Sequence, residues 1–290
     1  MLEADELAEV AGAFGVAESQ VRRDHLISHL LAAIGVLDRP LTFFGGTALA
    51  RTYLADPADG ARLSEDIDLY TDQRASTAAD LDAQLPRLVR REFPGCRWDP
   101  PLSEVRSTDP GQLVGPDGLR VRIQLLNSAG AHADLARWPT EFLPVSLRYR
   151  DTAGTVRLRV PTLPAFTAMK TVAWLDRRTA RDLYDLTGLA SVGGITTEAA
   201  ELFRRATGWR LTPRTLTATP VPDWAVQLAH QTRSVPTAEE CFAVVRRAYM
   251  RRRSTGPPRN DTGGSRAVSG RGRLRIRPPL GLSRLRGGLP

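Results

Sequence analysis

The chain has 290 residues, 42% of them hydrophobic, and a formal net charge of +8; that is enough apolar mass for a buried core in one large or two ordinary domains. Two cysteines far apart, Cys96 and Cys241, offer no disulfide framework and fit a reducing cytosol. No apolar run approaches the eighteen or so residues that span a bilayer, and the acidic start from Met1 to Glu6 argues against a secretory leader, so a cytoplasmic protein without a membrane partner is expected.

Residues 1 to about 38 read as helical, most clearly over 21–31. His25 and His29, four apart, have a spacing that can bind zinc, but no third ligand lies nearby in sequence and the pair is read as an ordinary helix face. Leu41–Phe44 is apolar, β-prone and bounded at once by Gly45 and Gly46, which marks a short buried strand. The glycines let the backbone turn tightly and let a ligand approach without meeting a Cβ. Thr47 is positioned to cap a helix beginning at Ala48, and free N–H groups at such a start favour phosphate. No Gly-Lys-Ser/Thr follows, so this is not a P-loop.

Ser64-Glu65 then leads into Asp66-Ile67-Asp68-Leu69-Tyr70, a second strand. A side-chain period of two puts Asp66 and Asp68 on one face and Ile67 and Leu69 toward the core. Two rises of about 3.3 Å separate the aspartate Cα atoms by roughly 6.6 Å, so both carboxylates can reach one metal or a close pair. Hard oxygen ligands of this kind suit Mg²⁺ holding substrate phosphates.

Farther on, the pattern predicts a helix at about 77–93, a turn region from Gly111 to Gly118, a strand at 119–126 entered through Asp117-Gly118, and strands near 143–149 and 155–160. From Pro161 to about 250 it is helical: 163–175 with Pro164 in the first turn, then 179–186, then segments near 196–206, 223–231 and 237–252. Among 40 Lys and Arg, Lys170 is the single lysine, which points to a place where a compact ammonium must reach a phosphate. Thr179 and Asp182 form a capping-box-like pair, and Arg181 and Asp185 have the spacing of a helix-face ion pair. Residues 251–290 hold eleven arginines and one aspartate, which leaves the rest of the chain at −2. With eight glycines and five prolines, this tail is expected to be disordered and capable of salt-sensitive RNA binding. The chain thus divides into an α/β lobe with N-terminal helices at 1–160, a helical lobe at 161–250 and an Arg/Gly/Pro-rich tail at 251–290.

The run Gly45-Gly46-Thr47-Ala48-Leu49 followed by Arg62-Leu63-Ser64-Glu65-Asp66-Ile67-Asp68-Leu69 resembles the first motif of the AbiEii/AbiGii-type nucleotidyltransferase toxins, members of the DNA polymerase β-like superfamily. Lys170, followed by Arg181, Asp182 and Asp185, resembles a later motif of the same family. The resemblance covers roughly residues 41–190. It implies a fold of mixed α/β (α+β) class, a polymerase β-like lobe with a mixed sheet followed by helices, with the active site in the cleft between lobes. It implies a type IV toxin with a cognate antitoxin, transferring a nucleotide from an NTP to an acceptor hydroxyl with Mg²⁺ or Mn²⁺. Some relatives add nucleotides to the 3′ end of tRNA, which makes tRNA the expected acceptor, and Arg177, Arg178 and Arg181 would suit an acceptor stem. On this reading Asp66 and Asp68 bind metal, and together with Lys170 and Asp185 they are catalytic. Gly45, Gly46, Thr47, Arg62, Ser64, Arg181 and Asp182 bind nucleotide.

One departure stands out. The superfamily places a third carboxylate on a neighbouring strand, and here the inward polar position of 119–126 is Gln124, an amide. Asp134 and the Asp182/Asp185 pair are the candidates left for that role. A protein or small-molecule acceptor, such as an aminoglycoside, and a catalytically weakened protein that binds RNA or a partner are the competing readings.

Overall fold

The computed structural model of the chain describes residues 2–56, 60–63, 65–129, 132–152, 154–212, 215–216, 221–233 and 235–254. Ser64 and the tail beyond 254 lie outside these, so their expected roles are not addressed by the fold. The helical N-terminus is two helices, α1 (Ala4–Phe14) and α2 (Glu18–Leu37). Gly15 divides them: it adopts φ +64° and returns its N–H to the Ala11 carbonyl, the left-handed stop that glycine supplies at a helix C-terminus.

The central sheet has five strands: β1 (Thr42–Phe44), β2 (Asp66–Thr71), β3 (Arg97–Trp98), β4 (Gly111–Val114) and β5 (Arg120–Asn127), in the order β1-β2-β5-β4-β3. β2 and β5 run parallel, and the other neighbours are antiparallel. In β2 the expected alternation holds, with Ile67 and Leu69 fully buried and Asp66 and Asp68 only partly so. Leu26, Ile27, Leu30, Leu31 and Ile34 of α2 join the same core. Helix α4 (Arg74–Val89) contributes Ala78, Leu81 and Leu85 to it. Pro86 inside α4 has no N–H for the Asp82 carbonyl, and the Trp98 indole N–H takes that acceptor at 3.2 Å.

Two strand expectations are corrected. The segment beginning at Gly111 is not all turn: Gly111–Val114 is β4, paired on both edges, and only Pro116–Gly118 turns. Gly111 marks close packing, because a Cβ there would sit 3.0 Å from Leu102. The expected strand at 143–149 lies earlier, as β6 (Thr140–Val145), which forms a separate ribbon with β7 (Val156–Pro161). Its pairing stops at Val145–Val156, and the chain then turns through Arg148 at φ +68° so that Leu147 and Tyr149 are buried.

The helical half consists of α5 (Leu163–Arg177), α6 (Ala180–Ser191), α7 (Thr197–Thr207), α8 (Trp224–Leu228) and α9 (Ala238–Ser254). Thr162 and Thr179 cap α5 and α6 through their hydroxyls. α5 packs on β7, and α6 on helix α3 (Gly45–Arg51), which follows β1.

Candidate active site

Helix α3 (Gly45–Arg51) starts directly after β1, so the two glycines form its first residues rather than a loop before it. Thr47 is therefore not the cap. It is fully buried, and its hydroxyl donates to the Asp66 carbonyl at 2.5 Å, tying α3 to the start of β2. Gly45 adopts φ +79°, and a Cβ there would overlap the Asp68 carboxylate. A Cβ on Gly46 would overlap the Arg62 guanidinium. Each glycine thus makes room for a charged side chain behind it.

Lys170, on the fourth position after Phe166 in α5, extends its ammonium to Asp185 Oδ2 at 2.6 Å and to Asp182 Oδ1 at 3.4 Å. Arg62 meets the same Asp185 carboxylate with two bonds, Nε to Oδ1 at 2.9 Å and Nη2 to Oδ2 at 3.1 Å, and donates from Nη1 to the Gln231 amide oxygen at 2.9 Å. Burial pushes the Asp185 carboxyl up, but the Arg62 and Lys170 charges override this and hold it at about 2. Asp182 receives Arg177 at 3.0 Å and the Thr179 hydroxyl at 2.7 Å, while its own N–H donates to Thr179. The capping reading of Asp182 therefore holds, and its ion pair with Arg177 is an addition from the structure. The Arg181–Asp185 pair does not form; Asp185 is engaged from the other side.

These elements enclose a cleft of about 260 Å³ lined by Phe44, Gly45, Gly46, Asp66, Asp68, Thr108, Pro110, Arg122, Gln124, Lys170 and Arg177. Of the sequence-predicted residues, Gly45, Gly46, Asp66, Asp68 and Lys170 meet at its wall. Asp185, Asp182 and Arg62 are buried behind Lys170 and Gly46. Arg181 is not part of the lining, and Arg178 lies over the Trp174 ring at 5.1 Å. Asp134 is exposed and paired with Arg137 at 3.0 Å, so it does not supply a third carboxylate. Gln124 stands in register beside Asp68, and its amide N–H donates to the Thr108 carbonyl at 2.8 Å.

Asp68 is pushed up to about 7 by burial first and then by the Asp66 charge; Lys170, Arg177 and Arg122 offset only part of this. Two carboxylates crowded on one strand face, with one of them resisting ionisation for want of positive charge, are a donor set that fits a hard divalent cation. Arg122 was not anticipated from sequence. It sits opposite Asp66 in the parallel pairing, 3.5 Å from its carboxylate, a proximity that exists only once β2 and β5 are adjacent.

The sequence model of the AbiEii nucleotidyltransferase toxins of type IV toxin–antitoxin systems matches residues 29–249. Among curated proteins none matches the chain in sequence. Among solved structures, MenT4, a nucleotidyltransferase toxin from Mycobacterium tuberculosis, is similar with a TM-score of 0.60 at 19% identity, over 84% of this chain and 88% of that one. JHP933 from Helicobacter pylori is similar with a TM-score of 0.50 at 15% identity, over 82% of this chain and 95% of that one. At these identities the structural likeness establishes the shared mixed α/β fold, and the family rests on the sequence match. Among the described residues no helix is long and apolar enough to cross a membrane.

Proposed function

This chain belongs to the AbiEii family of nucleotidyltransferase toxins, and on that footing we propose that it transfers a nucleoside monophosphate from an NTP to the 3′ end of tRNA in the cytoplasm, halting translation and growth until a cognate antitoxin counters it. The observation that carries the reading is the convergence of Asp66, Asp68, the Gly45-Gly46 start of α3 and the chain's single lysine on one cleft. In the proposed two-lobe arrangement, the helical lobe from 161 onward delivers Lys170 across the α/β lobe.

The roles follow from placement. The backbone of Gly45 and Gly46 offers a surface without side chains against which phosphates can lie. Thr47 acts through the backbone it fixes. Lys170 presents its ammonium to the leaving pyrophosphate, where a fixed positive charge lowers the barrier. Arg62, Asp182 and Asp185 hold Lys170 in place, so they are positioning residues. Arg122 and Arg177 add positive charge along the path of a polyanionic acceptor. Mg²⁺ or Mn²⁺ held by Asp66 and Asp68 would neutralise the triphosphate and orient it for in-line attack.

The test incubates the protein with total bacterial RNA, Mg²⁺ and each α-labelled nucleotide in turn, beside Lys170→Ala. Label entering tRNA-sized RNA, and lost in the variant, is the expected result. Label entering protein or an aminoglycoside instead replaces the acceptor while keeping the chemistry. Gln124 in place of a carboxylate favours a second reading, a binding protein with weakened catalysis. Under that reading Asp66→Ala leaves growth inhibition intact, whereas under the enzymatic reading it abolishes it.

A further inference from the structure

His25 and His29 stand one turn apart on α2, and the connection between β6 and β7 brings to them Asp151, which lies 126 residues beyond His25 in sequence. The Nε2 atoms of the two histidines are 3.2 Å apart. Asp151 Oδ2 lies 3.0 Å from His25 Nε2 and 3.4 Å from His29 Nε2. Two bonds of about 2.0–2.1 Å meeting at a tetrahedral angle separate their ligand atoms by roughly 3.3 Å. The three edges of this triangle match that spacing, and the donor types, two imidazole nitrogens and a carboxylate oxygen, are those zinc takes.

A hydrogen bond from His25 cannot serve all of its neighbours at once. His25 Nε2 is within 3.0–3.2 Å of three atoms that can accept, Asp151 Oδ1, Asp151 Oδ2 and His29 Nε2, yet it carries at most one proton to share among them. A cation at the centre of the triangle engages all three donors at once.

The surroundings hold the triad fixed. The His25 side chain is 5% exposed, that of His29 12% and that of Asp151 15%. The Phe93 ring lies against both imidazoles and the Tyr149 ring against His25. Tyr149 is anchored to α2 by hydrogen bonds from its hydroxyl to the Val21 carbonyl at 3.1 Å and to Asp24 Oδ2 at 2.9 Å, which sets the position of Asp151 two residues on. Apolar walls and an anchored ligand-bearing loop are what a metal site needs around its ligands.

We propose that His25, His29 and Asp151 form a binding site for a zinc-class divalent cation, with a fourth position left to water, and that the bound ion fastens the β6–β7 connection to α2. None of the three residues lines the Asp66/Asp68 cleft, so this site is distinct from the one proposed for nucleotidyl transfer and does not depend on it.

The test uses the full chain stripped with chelator and kept in excess Mg²⁺, which occupies hard oxygen sites. Co²⁺ is titrated as an optical probe and Zn²⁺ as competitor, with metal content and melting temperature measured in parallel. The expected result is about one Co²⁺ per chain with a visible band of low-symmetry N/O coordination, displaced by Zn²⁺, and a melting temperature raised by Zn²⁺. His29→Ala and Asp151→Asn should each weaken binding roughly 100-fold or more and lose the Zn²⁺-dependent rise, while Asp66→Ala keeps both. Should either ligand variant unfold, the other and the parent's Co²⁺ spectrum still decide the matter. Binding that is absent in the parent, or unchanged in both ligand variants, overturns the proposal.

Discussion

Asp68 is caught between two demands: it must stand beside Asp66 on the cleft face of β2, and the same position strips away much of the water that would stabilise its charge. Its carboxyl titrates at about 7 in the fold against about 3.9 in an unfolded chain. Between those values the native state holds more protons than the unfolded one, so stability falls as pH rises through that window and levels off above it. Asp68→Asn should remove this slope and leave the protein more stable than the parent at pH 8, by on the order of 2 kcal/mol once partial exposure to the cleft is discounted. Melting curves at pH 5 and pH 8 check this; equal slopes in parent and variant sink it. Mg²⁺ should flatten the parent's slope as well, because it favours the ionised pair. Gly45 makes the complementary case, since it leaves the carboxylate its space. Gly45→Ala forces a side chain into φ +79° and into Asp68, and it should cost roughly 1–3 kcal/mol together with nearly all nucleotidyl transfer. A fully active Gly45→Ala variant would show that Asp68 need not sit where it does.

At the scale of elements, α6 is joined to the start of β2 through one buried carboxylate. Asp185 receives Arg62, which precedes β2, and Lys170, which comes from α5. Removing it leaves two cations buried together, an arrangement that costs about 3–5 kcal/mol. Lys170→Ala leaves Asp185 still satisfied by both bonds from Arg62 and should cost clearly less, about 1–2 kcal/mol. Urea denaturation of Asp185→Ala and Lys170→Ala tests that order, and a reversed order would mean Lys170 is the structural partner. Such pairings mark the limit of what sequence periodicity could supply. The alternation in β2, the proline in the first turn of α5, the capped start of α6 and the isolated lysine were all legible, because each is a local pattern. β3 and β4 were not: one is two residues long, and the other begins with a glycine whose reason is Leu102. Thr47 reads as a cap in sequence because the helix starts three residues earlier than the glycines suggest, at Gly45, and Arg62 shows no partner in sequence because Asp185 lies 123 residues away.

For the whole molecule, the features invisible in sequence are those made by distant segments meeting: Arg122 beside Asp66, Gln124 sealed against Thr108, Asp151 brought to His25 and His29. Charge is distributed on a similarly large scale. The cleft offers a few cations, whereas residues 255–290 hold eight arginines and a single aspartate, so positive charge available to a nucleic acid is concentrated outside the catalytic machinery. If the acceptor is RNA, binding and chemistry should then separate. A chain ending at Ser254 should bind tRNA more weakly, with a log K against log salt slope shallower by up to about 5, at about 0.7 for each phosphate that is no longer neutralised. Its turnover at saturating RNA should equal the parent's, because phosphate interactions far from the reacting atoms contribute equally to ground and transition states. Filter binding across a salt series, run beside single-turnover kinetics, distinguishes the two. An unchanged slope would mean the arginine-rich segment does not touch the acceptor, and a fall in turnover would mean that it helps to position the reacting end.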